Sequence, residues 1–144
     1  MTGLVITVDD SHFQEYLQAL AGKLDDMYPV METISSYLET STKLRFETGI
    51  GPDGQPWKPS IRAQKTGGQT LVKETYLLGS VVSAANSTEA MAGSNMIYAR
   101  IHQFGGQTGR NHAVTLPARP MFGLDDVDNA EITDTLVEYL TEAA

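Results

Sequence analysis

Two segments dense in aromatic residues and glycine constrain this chain more than any other feature. The first runs from Phe46 through Gly49, Gly51, Pro52, Asp53, Gly54 and Pro56 to Trp57. The second is Tyr98-Ala99-Arg100-Ile101-His102-Gln103-Phe104-Gly105-Gly106, followed by Leu116-Pro117-Ala118-Arg119-Pro120-Met121-Phe122. Proline presets φ and glycine accepts positive φ, so Pro52-Asp53-Gly54 reads as a turn. Trp57, the only tryptophan, follows it, and burying an indole there would tie the loop to the core. Tyr98, Ile101 or His102, and Phe104 are spaced to share a helical face. Both segments read as tightly specified turns around buried aromatics, not as catalytic boxes.

The rest of the chain supplies elements for these turns to join. Leu4 to Val8 is short and β-branched, as in a strand. Phe13, Tyr16, Leu17, Leu20, Leu24 and Met27 make one stripe, so an amphipathic helix is expected over 12–27. Pro29 suits the first turn of a second helix reaching about Phe46, where Gly49 and Gly51 stop it. These two helices should form an antiparallel or steeply crossed pair. Residues 48–70 read as a long loop, and 60–70, with Arg62, Lys65 and Gly67-Gly68, as a segment that orders only on assembly. A short helix is expected over Leu71–Leu78, and a hairpin around Asn86-Ser87. A helical turn from Tyr98 should end at Gly105-Gly106. Ala113–Leu116 reads as a strand that Pro117 and Pro120 stop. Asp125-Asp126 favour the start of a last helix. The expected fold is α+β: a small antiparallel sheet against an N-terminal helix pair and a C-terminal helix, with a long central loop. At 144 residues the chain fits a single domain, 1–144.

Charge is segregated along the sequence. Net charge is −8, yet residues 43–119 hold nine bases and four acids, and the segments on either side are acidic. The bases are spread out, with Lys58, Arg62 and Lys65 nearest to one another, so no dense nucleic-acid stripe exists. A solvated mixed surface is the plain interpretation. The sharper one sets an acidic helix of one subunit against a basic loop of the next. There is no cysteine, which removes disulfides and thiolate metal sites. No apolar run is long enough to span a membrane, and MTGLVITVDD lacks a signal-peptide pattern. A cytoplasmic product without membrane contact is expected.

Catalytic chemistry finds little support. His12, His102 and His112 have no zinc spacing, and a hydrogen bond to backbone is expected for His102. Gly105-Gly106-Gln107-Thr108-Gly109 lacks the Gly-Lys-Ser/Thr ending of a phosphate loop. Asp125, Asp126 and Asp128 lack the calcium-loop spacing. No Gly-x-Ser-x-Gly elbow occurs. No enzyme activity, metal or cofactor is expected.

Taken in order, Phe46, Pro52-Asp53-Gly54-Gln55-Pro56-Trp57, Leu71 to Leu77 with Ser80, Ile97 to Gly106, and Leu116 to Leu124 resemble the phage virion morphogenesis family. That family takes in tail completion proteins and the G-like proteins of Mu-like phages and prophages. The resemblance covers about residues 12–142. The chain departs at Glu74-Thr75-Tyr76-Leu77, where the family often has Thr-Gly-x-Leu, and at Met121, where a bulkier residue is common. The resemblance implies a structural virion protein that completes the tail or joins it to the head. It implies a ring around the DNA channel, a hexamer or dodecamer of the chain, with other tail, neck or connector proteins as partners. A head-side capsid assembly or scaffold-like factor is the alternative. Phe46, Pro52, Asp53, Gly54, Trp57, Tyr98, His102, Gln103, Phe104, Gly105, Gly106, Pro117, Arg119 and Pro120 would be structural. Lys58, Arg62, Lys65 and Arg110 are the candidates for partner contact or weak, sequence-independent DNA contact.

Overall fold

The computed structural model describes residues 11–72 and 76–142. The strand expected over Leu4–Val8 lies outside them. Helix α1 spans Ser11–Asp25 and α2 spans Tyr28–Thr48. Pro29 sits in the first turn of α2, where a missing N–H leaves no bond unmade. At the other end Gly49 takes φ 68° and its N–H bonds to the Arg45 carbonyl at 2.7 Å, closing the helix with a left-handed cap. Val30, Ile34 and Phe46 are buried along α2.

A hairpin of β1, Val81–Ala85, and β2, Ala90–Ser94, packs on α2. Its register pairs Val81 with Ser94, Ser83 with Ala92 and Ala85 with Ala90. Alternation sends Val81 into the core and Val82 to solvent. The connection is longer than two residues: Asn86 N–H bonds to the Glu89 carbonyl, and Asn86 Oδ1 accepts from Thr88 and Glu89 N–H groups. A short helix, α4, covers Tyr76–Gly79 just before the hairpin.

The central stretch corrects one expectation. Residues 61–66 form a helix, α3, Ile61–Thr66. Ser60 Oγ accepts from Ala63 N–H at 3.1 Å, and Gly67 closes the far end at φ 73°. A serine N-cap seven residues before the first of two glycines is a helix signature, hidden here by surrounding loop residues. The segment is also tied at its base, Ser60 N–H to Thr70 Oγ1 at 3.2 Å.

Helix α5, Ala99–Phe104, ends at Gly105. A second antiparallel pair follows: β3, Gly106–Thr108, with β4, Val114–Leu116, across a single turn of 3-10 helix at Arg110–His112. The sequence gives little sign of β3, whose residues are glycine and polar. Helix α6, Asp126–Thr141, lies against α2 and α1. Lys23 Nζ donates to the Tyr139 carbonyl at 2.6 Å, and Tyr139 OH donates to the Asp26 carbonyl at 2.8 Å. So α1 docks on the C-terminal helix while α2 carries the hairpin. The fold is mixed α+β, with two small antiparallel sheets.

Candidate functional site

The two aromatic segments meet. Phe46 and Trp57 are both buried and touch edge to face, ring centroids 5.7 Å apart. Pro52-Asp53-Gly54 makes the turn between them: Gly54 has φ 78° and its N–H bonds to the Gly51 carbonyl. Trp57 Nε1 then donates to the Pro120 carbonyl at 2.8 Å. Gly51 makes room for this bond, since a Cβ there would stand 3.2 Å from Pro120 O and 3.3 Å from Trp57 Nε1.

Residues 120–122 are gripped from three further sides. Gln103 Oε1 accepts from Met121 and Phe122 N–H groups at 2.8 and 3.0 Å, and its Nε2 donates to the Phe122 carbonyl at 2.9 Å. A side-chain amide thus imitates a strand neighbour. Arg45 Nη1 donates to the Met121 carbonyl at 2.7 Å. Met121 is 0% exposed and completes the core with Phe46, Trp57, Leu77, Val81 and Ala99. One residue earlier, Arg119 N–H bonds to the His102 carbonyl at 2.7 Å, and Arg119 Nε donates to the Lys58 carbonyl at 2.7 Å. Gly105, at φ 69° and ψ −177°, lets α5 turn against Pro117 and Ala118; a Cβ there would meet Ala118 N at 2.7 Å. Gln103, Gly105, Pro117, Arg119 and Pro120 thus join Phe46 and Trp57 in one knot, and Tyr98 packs against its core.

A second centre lies beneath it. Asp128 is 1% exposed and its carboxylate takes bonds from Ser41 Oγ at 2.6 Å, Tyr37 OH at 2.9 Å and Arg45 Nη2 at 2.5 Å. Asp128 also forms a reciprocal cap with Asp125 at the start of α6. Burial alone would raise its pKa, but the bonds from Ser41, Asp125 N–H and Tyr37, with the Arg45 guanidinium, hold it below the usual carboxylate range. The Tyr37 hydroxyl is pushed up to about 12 by burial and by the Asp128 charge it bonds to. Sequence reasoning missed this centre. Its signal was Tyr37, Ser41 and Arg45, spaced four apart on one face of α2.

Two expectations fail here. Phe104 is 70% exposed, not a buried aromatic. Spacings of three accumulate a lag of about 60° each on a helix, which carries Phe104 off the face of Tyr98. His102 makes no side-chain bond to backbone: its Nδ1 is buried without a partner. The ring instead stands edge-on to Tyr98 at 6.2 Å. Burial, and then the Arg119 charge, lower its pKa and keep it neutral. A mostly apolar hollow of about 470 Å³ opens beside it, between Arg62, Leu77, Tyr98 and Arg119.

Of the candidate contact bases, Lys58, Lys65 and Arg110 are exposed and Arg62 is half-buried. Arg62 and Lys65 ride on α3 and not on a loop; Arg62 Nη2 donates to the Gln69 carbonyl at 2.7 Å. Arg110 sits in the 3-10 turn and Lys58 just after Trp57. None of these four has a carboxylate partner among the described residues. No group of His, Asp and Glu among the described residues is placed to hold a metal, and no described helix is long and apolar enough to cross a membrane.

Residues 8–141 match the phage virion morphogenesis family, so the match takes in both aromatic segments and the Asp128 centre. The chain belongs to that family. It is 34% identical over 138 residues to Mu-like prophage FluMu G protein 2 of Haemophilus influenzae, covering 94% of this chain and 96% of the relative. It is 28% identical over 148 residues to putative capsid assembly protein G of Escherichia phage Mu, covering 96% and 94%. No solved structure matches the chain. In this phage virion morphogenesis protein, the knot ties α2 and α5 to the segment that leads into α6.

Proposed function

We propose that this protein is a non-catalytic virion component that completes the tail or joins it to the head, assembled as a ring of copies around the DNA channel. The observation that carries this is where the polar atoms of the signature residues go. Trp57 Nε1, both ends of the Gln103 amide and Nη1 of the neighbouring Arg45 are all spent on the backbone of Pro120–Phe122. Side chains committed to backbone hold a shape, and they are not free to take part in a reaction. The outward cations and the acidic α6 then remain for contacts between molecules. A ring uses two different faces of each subunit, which a segregated charge pattern provides. DNA passing through the channel of an acidic protein meets repulsion, with Lys58, Arg62, Lys65 and Arg110 limiting it locally to weak, salt-sensitive contact. Assembly would take place in the host cytoplasm and end in the virion.

The test is the mass of the purified protein by light scattering at two salt concentrations. A closed oligomer of six or twelve copies supports the ring. A monomer at every concentration, also in the presence of tail tubes or filled heads, overturns it. The name of the phage Mu relative, a putative capsid assembly protein, favours a second reading, a head-side capsid assembly factor. Localising the protein in finished particles separates the two: retention at the neck or tail supports the first, absence from the virion the second.

A further inference from the structure

The surface left over once the frame is complete is uneven. Ile97 is 96% exposed and Phe104 70%. Ile97 lies in the turn just before α5 and Phe104 is the last residue of that helix, and both line the same hollow. Arg100 lies between them, its guanidinium carbon 6.0 Å from the centre of the Phe104 ring, and it has no carboxylate partner among the described residues. With Ile101 and Gly105 these side chains wall a hollow of about 340 Å³. One exposed apolar residue is ordinary; two of them flanking an unpaired cation around a hollow are not.

The chain also carries the opposite surface. Asp128, Ile132, Leu136 and Tyr139 turn toward the body of the subunit, which leaves Val127, Glu131 and Asp134 as an outward stripe at spacings of four and three. Val127 is 72% exposed. Neither Glu131 nor Asp134 has an ion-pair partner among the described residues, and no Lys or Arg occurs after Arg119. One surface is apolar with a cation at its centre; the other is apolar followed by two anions.

We infer that the hollow around Ile97, Arg100 and Phe104 receives the Val127–Glu131–Asp134 stripe of a second copy of this chain. The inference rests on the ring proposed above and names its contact. Each hollow facing another hollow would set Arg100 against Arg100, and each stripe facing a stripe would set carboxylates against carboxylates; both pairings are repulsive. The mixed pairing is attractive, and it leaves one hollow and one stripe open on every new dimer. Addition therefore continues head to tail until the rotation closes.

The absence of cysteine makes the test clean. Phe104→Cys and Val127→Cys are prepared separately in the full chain and oxidised alone and mixed. Both sites are exposed, so folding checked by circular dichroism should be unchanged. Cross-linked dimer in the mixture, with none in either variant alone, is expected. In parallel, Arg100→Glu should raise the dissociation constant of the assembly about tenfold, and combining it with Glu131→Arg should restore it. A closed oligomer that ignores Arg100→Glu and gives no mixed cross-link overturns this contact but leaves the ring standing. A wild-type chain that stays monomeric with tails and heads present, and gives no cross-link, overturns both.

Discussion

Asp128→Ala is the perturbation that tests the frame most severely. Asp128 is 1% exposed, and Arg45, 5% exposed, would lose its 2.5 Å partner. What remains for that guanidinium is the Met121 carbonyl and Asp125, whose carboxylate oxygen is 3.9 Å away. Breaking a buried pair by removing one member costs about 3–5 kcal/mol, because the other charge stays behind. Ser41 and Tyr37 also lose their acceptor. The loss is a large share of the total stability of about 5–15 kcal/mol expected of a domain. It should lower Tm by roughly 10–15 °C at this chain length. Urea unfolding followed by Trp57 fluorescence measures it, with the denaturant slope unchanged. The cause can be isolated. Arg45→Met combined with Asp128→Leu removes both charges and should recover most of the loss. The sign of the pH dependence follows from the depressed pKa of Asp128. Its stabilisation is complete above the unfolded carboxylate value, near 4 by ordinary standards, and disappears as pH falls through the lower folded value. Wild type and Asp128→Ala should therefore converge in acid. A loss under about 1 kcal/mol at pH 7, or a double variant as unstable as the sum of the singles, would refute an ion pair as the clamp between α2 and α6.

Other outcomes follow from single contacts. Gly105→Ala should cost about 3 kcal/mol, because φ 69° with ψ −177° is a glycine region and the new Cβ meets backbone at 2.7 Å. Gly49→Ala, also at positive φ but with nothing within 4 Å, should cost only about 1 kcal/mol in the same melts. His102 should titrate below the normal imidazole range in an NMR pH series, since burial and Arg119 disfavour its charged form. Its unfolded form binds protons first, so His102 lowers stability as pH falls from about 6.5 toward its folded value, and His102→Gln should flatten that slope. Replacing residues 62–69 by two glycines should leave the fold intact by circular dichroism, because Ser60 and Thr70 already meet across the base of the segment; loss of folding would show that α3 is part of the frame.

The sequence was legible where a residue has one physical use. Pro29 and Gly49 announce helix ends by backbone geometry, and Asp125-Asp126 announce one by placing negative charge at a helix start. Trp57 beside a proline-glycine turn announces a buried anchor. Legibility failed where the partner is remote. Gln103 looks like any surface amide until residues 120–122 arrive to take three of its four bonding positions. Asp128 looks like one of several acids on α6, and only the α2 face with Tyr37, Ser41 and Arg45 makes it the buried one. Strand β3 is specified by β4 and not by its own residues. Helix α3 was obscured for the opposite reason: its caps are local, but they stand among loop residues that dominate the pattern.

The missed centre and the exposed surfaces share a cause. Arg45 and Asp128 neutralise each other inside, and Lys23 and Lys43 find Glu142 and Glu39 at the surface. Those pairs use up the lysines and arginines that α1 and α2 possess, so the remaining ones, Lys58, Arg62, Lys65, Lys73, Arg100, Arg110 and Arg119, all fall between Trp57 and Pro120. Helix α6 keeps its carboxylates, because its one buried acid is already matched. A subunit built this way pairs Arg45 with Asp128 inside and carries its other charges segregated by sign along the chain. Such polarity gains nothing for an isolated chain, since exposed charges are nearly free in water. It gains specificity when copies meet, because the wrong face is rejected before the right one is held. Raising salt should accordingly slow association of wild-type subunits far more than it speeds dissociation, as stopped-flow mixing would show; equal effects on both rates would mean that the charges act only after contact.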